Sequence, residues 1–383
     1  MSAVHSLASL AKPRWWEAAL WLLLLALPWL MPTHALLISE ITIIALFAMS
    51  LDLILGYSGI VSLGHAAFFG MGAYTAALFA KHLHPDPLFG LLIAMLVTAM
   101  LGAVCSLGVL RGSDLTRIMV TLGVALILQE LANKLDWLTG GADGLQGVIM
   151  GPVLGRFEFD LWGQTAAWYA LGITLLVFVV LRRLVHSPFG YSLQAIRDNR
   201  LRAQAIGIPV HARLIAIYTL AAGLAGLAGG LQAQTTGFAS LDVFGFDRSA
   251  DVLLMLVIGG TGWLWGGLIG AVVFKTLHSV ISAWTPQYWT FWLGLFLVLL
   301  MLVGRERLLR PWTWGAKHER HRLVLRRFGE TLWRHHRHRP CQLANSPWCT
   351  PCAHWSQWRG QNHTHQFAHG CAGAHRRPHS FAG

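Results

Sequence analysis

Nine or ten long apolar runs constrain this chain more than any other feature. Segments long enough to span fall near residues 16–31, 36–55, 57–80, 88–110, 113–133, 164–182, 213–236, 265–283 and 288–304. A shorter one, 250–262, ends in Gly259-Gly260-Thr261-Gly262. A helix needs roughly 20 apolar residues to cross a bilayer. Lipid offers no partner for backbone N–H and C=O groups, so only helices and closed barrels span it. The expectation is an all-α, polytopic transmembrane bundle of about nine to ten passes, with 250–262 a half-helix or discontinuous span. Composition agrees: 12% of residues are charged, against roughly 25% in soluble domains.

The net charge of +12 misleads unless it is located. Residues 305–383 hold 14 Lys/Arg and 3 Asp/Glu, whereas residues 1–304 are nearly balanced, with 15 basic and 14 acidic side chains. The basic balance belongs to the tail and gives no reason to expect the membrane body to bind nucleic acid. Cys105 lies in an apolar run and the other four cysteines lie beyond residue 340, so no disulfide framework is implied for the body. Lys12 and Arg14 precede the first run without a clear cleavage site after it, which reads as a retained first helix. Basic residues also cluster in the connection 183–213 and after the last span, at Arg305, Arg307 and Arg310. Ten passes place all three clusters on one side, which the positive-inside rule assigns to the cytoplasm. The expected location is a cell inner membrane with a cytoplasmic N-terminus, in contact with lipid.

Gly56–Tyr74 carries five glycines and one histidine within an apolar stretch. Absent Cβ atoms suit close helix contacts or an unwound segment lining a path. Gly64, His65, Gly70 and Gly72 are therefore candidate path residues, and Ala94 is taken as an outward-facing comparison. His65 stands alone among small and aromatic residues, which also fits a packed, hydrogen-bonded side chain. Lys275, Glu130 and Asp251 are ionisable residues at or near membrane depth; each either lines the path or snorkels. Thr139-Gly140-Gly141 through Gly144-Leu145 reads as an outer turn. Between Ser187-Pro188 and Gly207-Ile208-Pro209, residues Tyr191–Ile206 approximate one amphipathic helix on the cytoplasmic side.

Together these segments resemble the membrane permeases of the branched-chain amino acid ABC transporter family. Ala48–Leu53 with Gly56–Tyr74 is similar to its glycine-rich signature, and Thr139–Leu145 to its outer-loop motif. Phe189-Gly190, Ala195-Ile196-Arg197-Asp198 and Gly207-Ile208 resemble its cytoplasmic segment. The match runs over about residues 35–305, which suggests a first helix in 1–34, a permease domain in 35–305 and a separate tail in 306–383. The resemblance implies that Phe189, Gly190, Ala195, Ile196, Arg197, Asp198 and Gly207 form a coupling segment that docks on an ATPase subunit. It also implies a second homologous permease and a periplasmic substrate-binding protein as partners. Arg200 departs from the family's acidic residue, and Asp52 from its Asn. The implied cargo is a branched-chain amino acid or a related small amide such as urea.

No phosphate-binding G-x-x-x-x-G-K-[ST] stands in this chain as written, so a partner would supply Mg-ATP and its hydrolysis, and no cofactor or metal is expected here. The rival readings are an ion-coupled secondary transporter, which needs coupling carboxylates within this chain, and a membrane enzyme, which needs clustered His, Asp or Glu. The bracketed inner helix and the scarcity of membrane acids disfavour the first, and the sequence shows no such cluster for the second.

The tail departs from everything before it. Residues 316–383 hold 11 of the 19 histidines and four cysteines. Cys349-Thr-Pro-Cys352 with His354, His363 and His365 has zinc-like spacing. A one-nucleotide shift explains it better. Over Trp355–His363 the shifted codons permit Gly-Pro-Asn-Gly-Ala-Gly-Lys-Thr-Thr, which looks like the phosphate loop of an ABC ATPase. The tail is expected to be an adjoining ATPase frame read out of register, and the nucleotide sequence tests this directly.

Overall fold

The computed structural model describes residues 15–298 apart from 154, 161–162, 289–290, 293 and 297, all within the unit Met1–Leu308. The expected last span and the tail, with its zinc and frame-shift readings, lie largely or wholly outside the described residues.

Among the described residues the regular secondary structure is helical, apart from two isolated bridges. Its α-helices longer than one turn are α1 (Trp15–Leu30), α2 (Ala35–Asp52), α3 (Ala66–His82), α4 (Pro87–Val109), α5 (Asp114–Lys134) and α6 (Gln164–Val185). They continue as α7 (Pro188–Asp198), α8 (Arg200–Ala205), α9 (Val210–Thr236), α10 (Phe246–Gly259) and α11 (Leu264–Trp284). Six segments are long and apolar enough to cross a membrane: Pro32–Tyr57 (containing α2), α4, α5, α6, α9 and α11. The other expected passes are the shorter α1, α3 and α10. At 14 residues, α10 rises only about 21 Å, short of a hydrocarbon core.

Local chemistry sets the boundaries. Pro87 and Pro188 open α4 and α7 at positions where a missing N–H costs nothing. Ser113 caps α5 by accepting from the Thr116 N–H. Gly237, in the left-handed region at φ +65°, closes α9. Inside the bundle, Ser39, Thr42, Ser50, Ser58 and Thr98 return their hydroxyl protons to carbonyls three or four residues back, which satisfies them without water.

Helices α2 and α9 form the buried centre, and α4 and α5 lie at the periphery. On α4, Leu88, Leu92, Leu96, Met100, Val104 and Leu107 are exposed at helical spacing, an apolar stripe suited to lipid. The opposite face carries small residues. There Gly102 faces Ala222, and Gly226 lies so close to Thr98 that a Cβ would overlap that side chain. Ala94 belongs to this buried face, packed against Gly230, so it does not point outward. Its neighbours in sequence are apolar on both sides, and periodicity alone did not separate lipid from protein.

A buried ion pair joins Glu17 of α1 to Arg182 of α6. In a low-dielectric setting, removing one partner strands the other, so the pair ties these helices together.

Candidate functional site

The glycine-rich run is not one helix. After α2 the chain passes through a π-turn at Leu53–Tyr57 and then has no regular structure until Ala66. This irregular stretch is buried: Ser58, Ile60, Ser62 and His65 are all at most 1% exposed. Such backbone persists at membrane depth only when protein surrounds it. His65 Nε2 lies 2.9 Å from Ser50 Oγ, and its ring stacks on Phe47 with centroids 5.5 Å apart. His65 Nδ1 has no hydrogen-bond partner among the described residues. The next N–H, that of Ala66, donates to Ser249 Oγ at 2.9 Å, joining the start of α3 to α10.

The other candidate glycines are contact points. A Cβ at Gly64 would overlap the Thr121 carbonyl of α5, and one at Gly72 would overlap the Gly226 backbone of α9. At Gly70 it would come within 2.5 Å of the Phe244 ring. All three are close approaches of the kind glycine permits.

At one end of the bundle, three separate parts of the chain converge. Asp52 Oδ1 accepts from the Gly262 N–H at 2.7 Å, and Gly262 sits in the α10–α11 turn at φ +77°. Arg197 Nη1, from α7, donates to the Gly56 carbonyl at 2.5 Å. The π-turn leaves that carbonyl available, and the guanidinium takes it. A Cβ on Gly56 would overlap both Asp52 Oδ1 and the Gly262 N–H, so only glycine fits. An exposed helix is thereby hydrogen-bonded to the buried irregular backbone that leads to His65.

The expected single helix Tyr191–Ile206 is two. Asn199 adopts φ −162°, ends α7 and caps α8 by accepting from the Arg202 N–H at 2.9 Å. An Asx cap outcompetes helix continuation there, because its side-chain oxygen satisfies a donor that the next turn would otherwise leave open. Within α7, Leu193 and Ile196 are buried, Ala195 is half-buried, and Arg197 and Asp198 are exposed. Phe189 is held under the Arg213 guanidinium, 5.1 Å from its ring centroid. Gly190 packs on the Val185 carbonyl so closely that a Cβ would overlap it. Gly207, at φ +86°, turns the chain into α9 with open space around it.

The opposite end holds a cavity of about 580 Å³. Its mouth carries Asp242, Asp247 and Arg248, its wall Asp251, Lys275 and His278, and its apolar depth Phe47, Phe69, Met255 and Phe274. Lys275 pairs with Glu40 at 2.7 Å. Thus Asp251 and Lys275 line a chamber, while Glu130 pairs with Lys134 at the surface, 3.7 Å away. Gly64, His65, Gly70 and Gly72 do not line this cavity; His65 stands behind Phe47 in its apolar depth. The aromatic depth and Arg248 were missed in the sequence, although ionisable residues at i and i+4 in the apolar run of α10 were a usable signal.

Near the same end, the Thr139–Leu145 motif is a knot of left-handed glycines. Gly140, Gly141 and Gly144 have φ of +78°, +57° and +72°, and Leu145 exchanges backbone hydrogen bonds with Ala239.

The family model for the permease component of branched-chain amino acid transport systems matches residues 35–304. The chain belongs to that family. A high-affinity branched-chain amino acid transport system permease protein, LivM of Escherichia coli (strain K12), is 28% identical over 328 residues, covering 80% of this chain and 76% of the relative. The corresponding Salmonella typhimurium LivM is 29% identical over 329 residues, covering 80% and 76%. The autoinducer 2 import system permease protein LsrC of Photorhabdus laumondii is 26% identical over 293 residues, covering 72% and 82%. No solved structure matches the chain. The irregular segment, the α7–α8 pair and the cavity of this permease all fall inside the matched span.

Proposed function

We propose that this permease carries branched-chain amino acids across a cell inner membrane, inward, as one membrane subunit of an ATP-driven importer. A second homologous permease completes the pathway, ATPase subunits bind Mg-ATP at the α7–α8 end, and a periplasmic receptor delivers cargo to the cavity end. On this reading the N-terminus and α7–α8 are cytoplasmic. The observation that carries the proposal is the hydrogen bond from Arg197 to the Gly56 carbonyl. It connects an exposed amphipathic helix to buried backbone between the two ends, and a transporter powered from outside the chain needs such a connection. Displacement of α7 by a closing ATPase would pull on the irregular segment, shift His65 and Phe47, and alternate access between the ends.

The test is reconstitution into proteoliposomes with the ATPase, the partner permease and the receptor. Leucine uptake should require ATP and receptor and be blocked by vanadate. Uptake driven by an ion gradient without ATP overturns the proposal, and uptake of urea or short amides in preference to leucine overturns its choice of substrate.

A further inference from the structure

We infer that the cavity in this permease is itself a binding chamber for an amino acid, with Asp251 receiving the cargo's ammonium group. The inference rests on the importer reading above and names what selects the cargo inside the membrane subunit.

The chamber is graded along α10. Asp247, Asp251 and Met255 lie at successive i+4 positions, and Arg248 and Val252 form the adjacent row; all five line the cavity. Residues four apart share a helix face. Descending from the mouth, the wall therefore changes from the opposite charges of Asp247 and Arg248, through a single carboxylate, to apolar atoms backed by Phe47 and Phe69. A leucine-type amino acid has the same gradation, with two charges at one end and a branched hydrocarbon at the other. The volume of about 580 Å³ exceeds one such molecule and falls in the usual range for small-ligand pockets of about 300–1,000 Å³.

The charges decide the orientation. Lys275 is taken by Glu40. Asp242, Asp247 and Asp251 then face one cation, Arg248, which has no ion pair among the described residues. Asp251 is half-buried and within electrostatic reach of Arg248, Asp247 and Lys275. The surplus is negative, so the chamber attracts an ammonium and repels a compound that carries only a carboxylate. Arg248, one residue from Asp247 at the mouth, accommodates the cargo carboxylate. The side chain then lies on the aromatic depth, against the ring that stacks on His65.

The experiment is equilibrium binding of radiolabelled L-leucine to the purified permease–ATPase complex without receptor. Unlabelled isopentylamine and 4-methylpentanoate, which lack the carboxylate and the ammonium respectively, serve as competitors. Losing a charge-assisted hydrogen bond weakens binding by roughly tenfold or more, so 4-methylpentanoate should compete at least about tenfold worse than isopentylamine. Asp251→Asn should weaken leucine binding by a similar factor, with Asp251→Glu close to wild type and both variants assembling normally. Equal competition by the two analogues overturns the inference, as does unchanged leucine binding in Asp251→Asn. Absent binding in wild type, alongside normal receptor-dependent uptake, overturns the chamber while leaving the importer intact. Absent uptake strikes the importer reading instead.

Discussion

Replacing Gly72 with alanine tests the central packing of this permease most sharply. A Cβ at Gly72 would overlap the carbonyl oxygen, Cα and carbonyl carbon of Gly226 on α9. These are backbone atoms of a buried helix and cannot rotate aside, so α3 and α9 must separate. Overpacking of this kind costs about 1–3 kcal/mol. Alanine recovers about 1 kcal/mol over glycine within a helix, leaving a net loss of up to about 2 kcal/mol. At roughly 1 °C per kcal/mol for a chain of 383 residues, the melting temperature should fall by up to about 2 °C. Gly172→Ala is the matched control: Gly172 lies in the interior of α6 and a Cβ there meets nothing within 4 Å. It should leave the melting temperature unchanged or slightly raised. Both variants are compared by thermal melting of the detergent-purified complex followed by size-exclusion chromatography. If Gly72→Ala melts at or above wild type while Gly172→Ala behaves as expected, the close α3–α9 contact is wrong.

Other positions give independent checks. Arg197→Gln should retain assembly but uncouple it: ATP hydrolysis continues while leucine uptake falls at least about tenfold, in line with loss of a charged hydrogen bond, and wild-type uptake would refute the tie to Gly56. Gly190→Leu, which forces a side chain into the Val185 carbonyl, should displace α7 and abolish ATPase co-purification without preventing membrane insertion; intact co-purification would count against α7 as the docking helix. Asp52→Asn keeps an acceptor for the Gly262 N–H and should transport almost normally. Asp52→Ala leaves that donor unsatisfied, costs about 1–3 kcal/mol, and should melt lower; equal behaviour of the two variants would show that the Asp52–Gly262 bond is unimportant.

Much of this permease was readable from the chain alone. Apolar runs of spanning length required helices, because a backbone in lipid must satisfy itself. The short run at 250–262 and the proline and glycine brackets around α7–α8 located real breaks for local reasons, missing N–H donors and left-handed glycines, whereas the break at Asn199 was missed because Tyr191–Ile206 read as one helix. What the glycines of 56–74 were for was undecided in the sequence, since close packing and unwinding both need a missing Cβ. The tertiary structure assigns the two roles to different residues: Gly56 lies at the irregular junction, whereas Gly70 and Gly72 lie at helix contacts. Ala94 shows the same limit, because lipid and protein interior are equally apolar and hydrophobicity cannot tell one face from the other. The cavity was less legible still. Its walls come from α2, α3, α5, α9, α10 and α11, elements up to 200 residues or so apart whose side chains meet only after the helices pack. A sequence displays Asp251 and Phe47 as isolated residues; only their convergence makes one the wall and the other the depth of a single chamber.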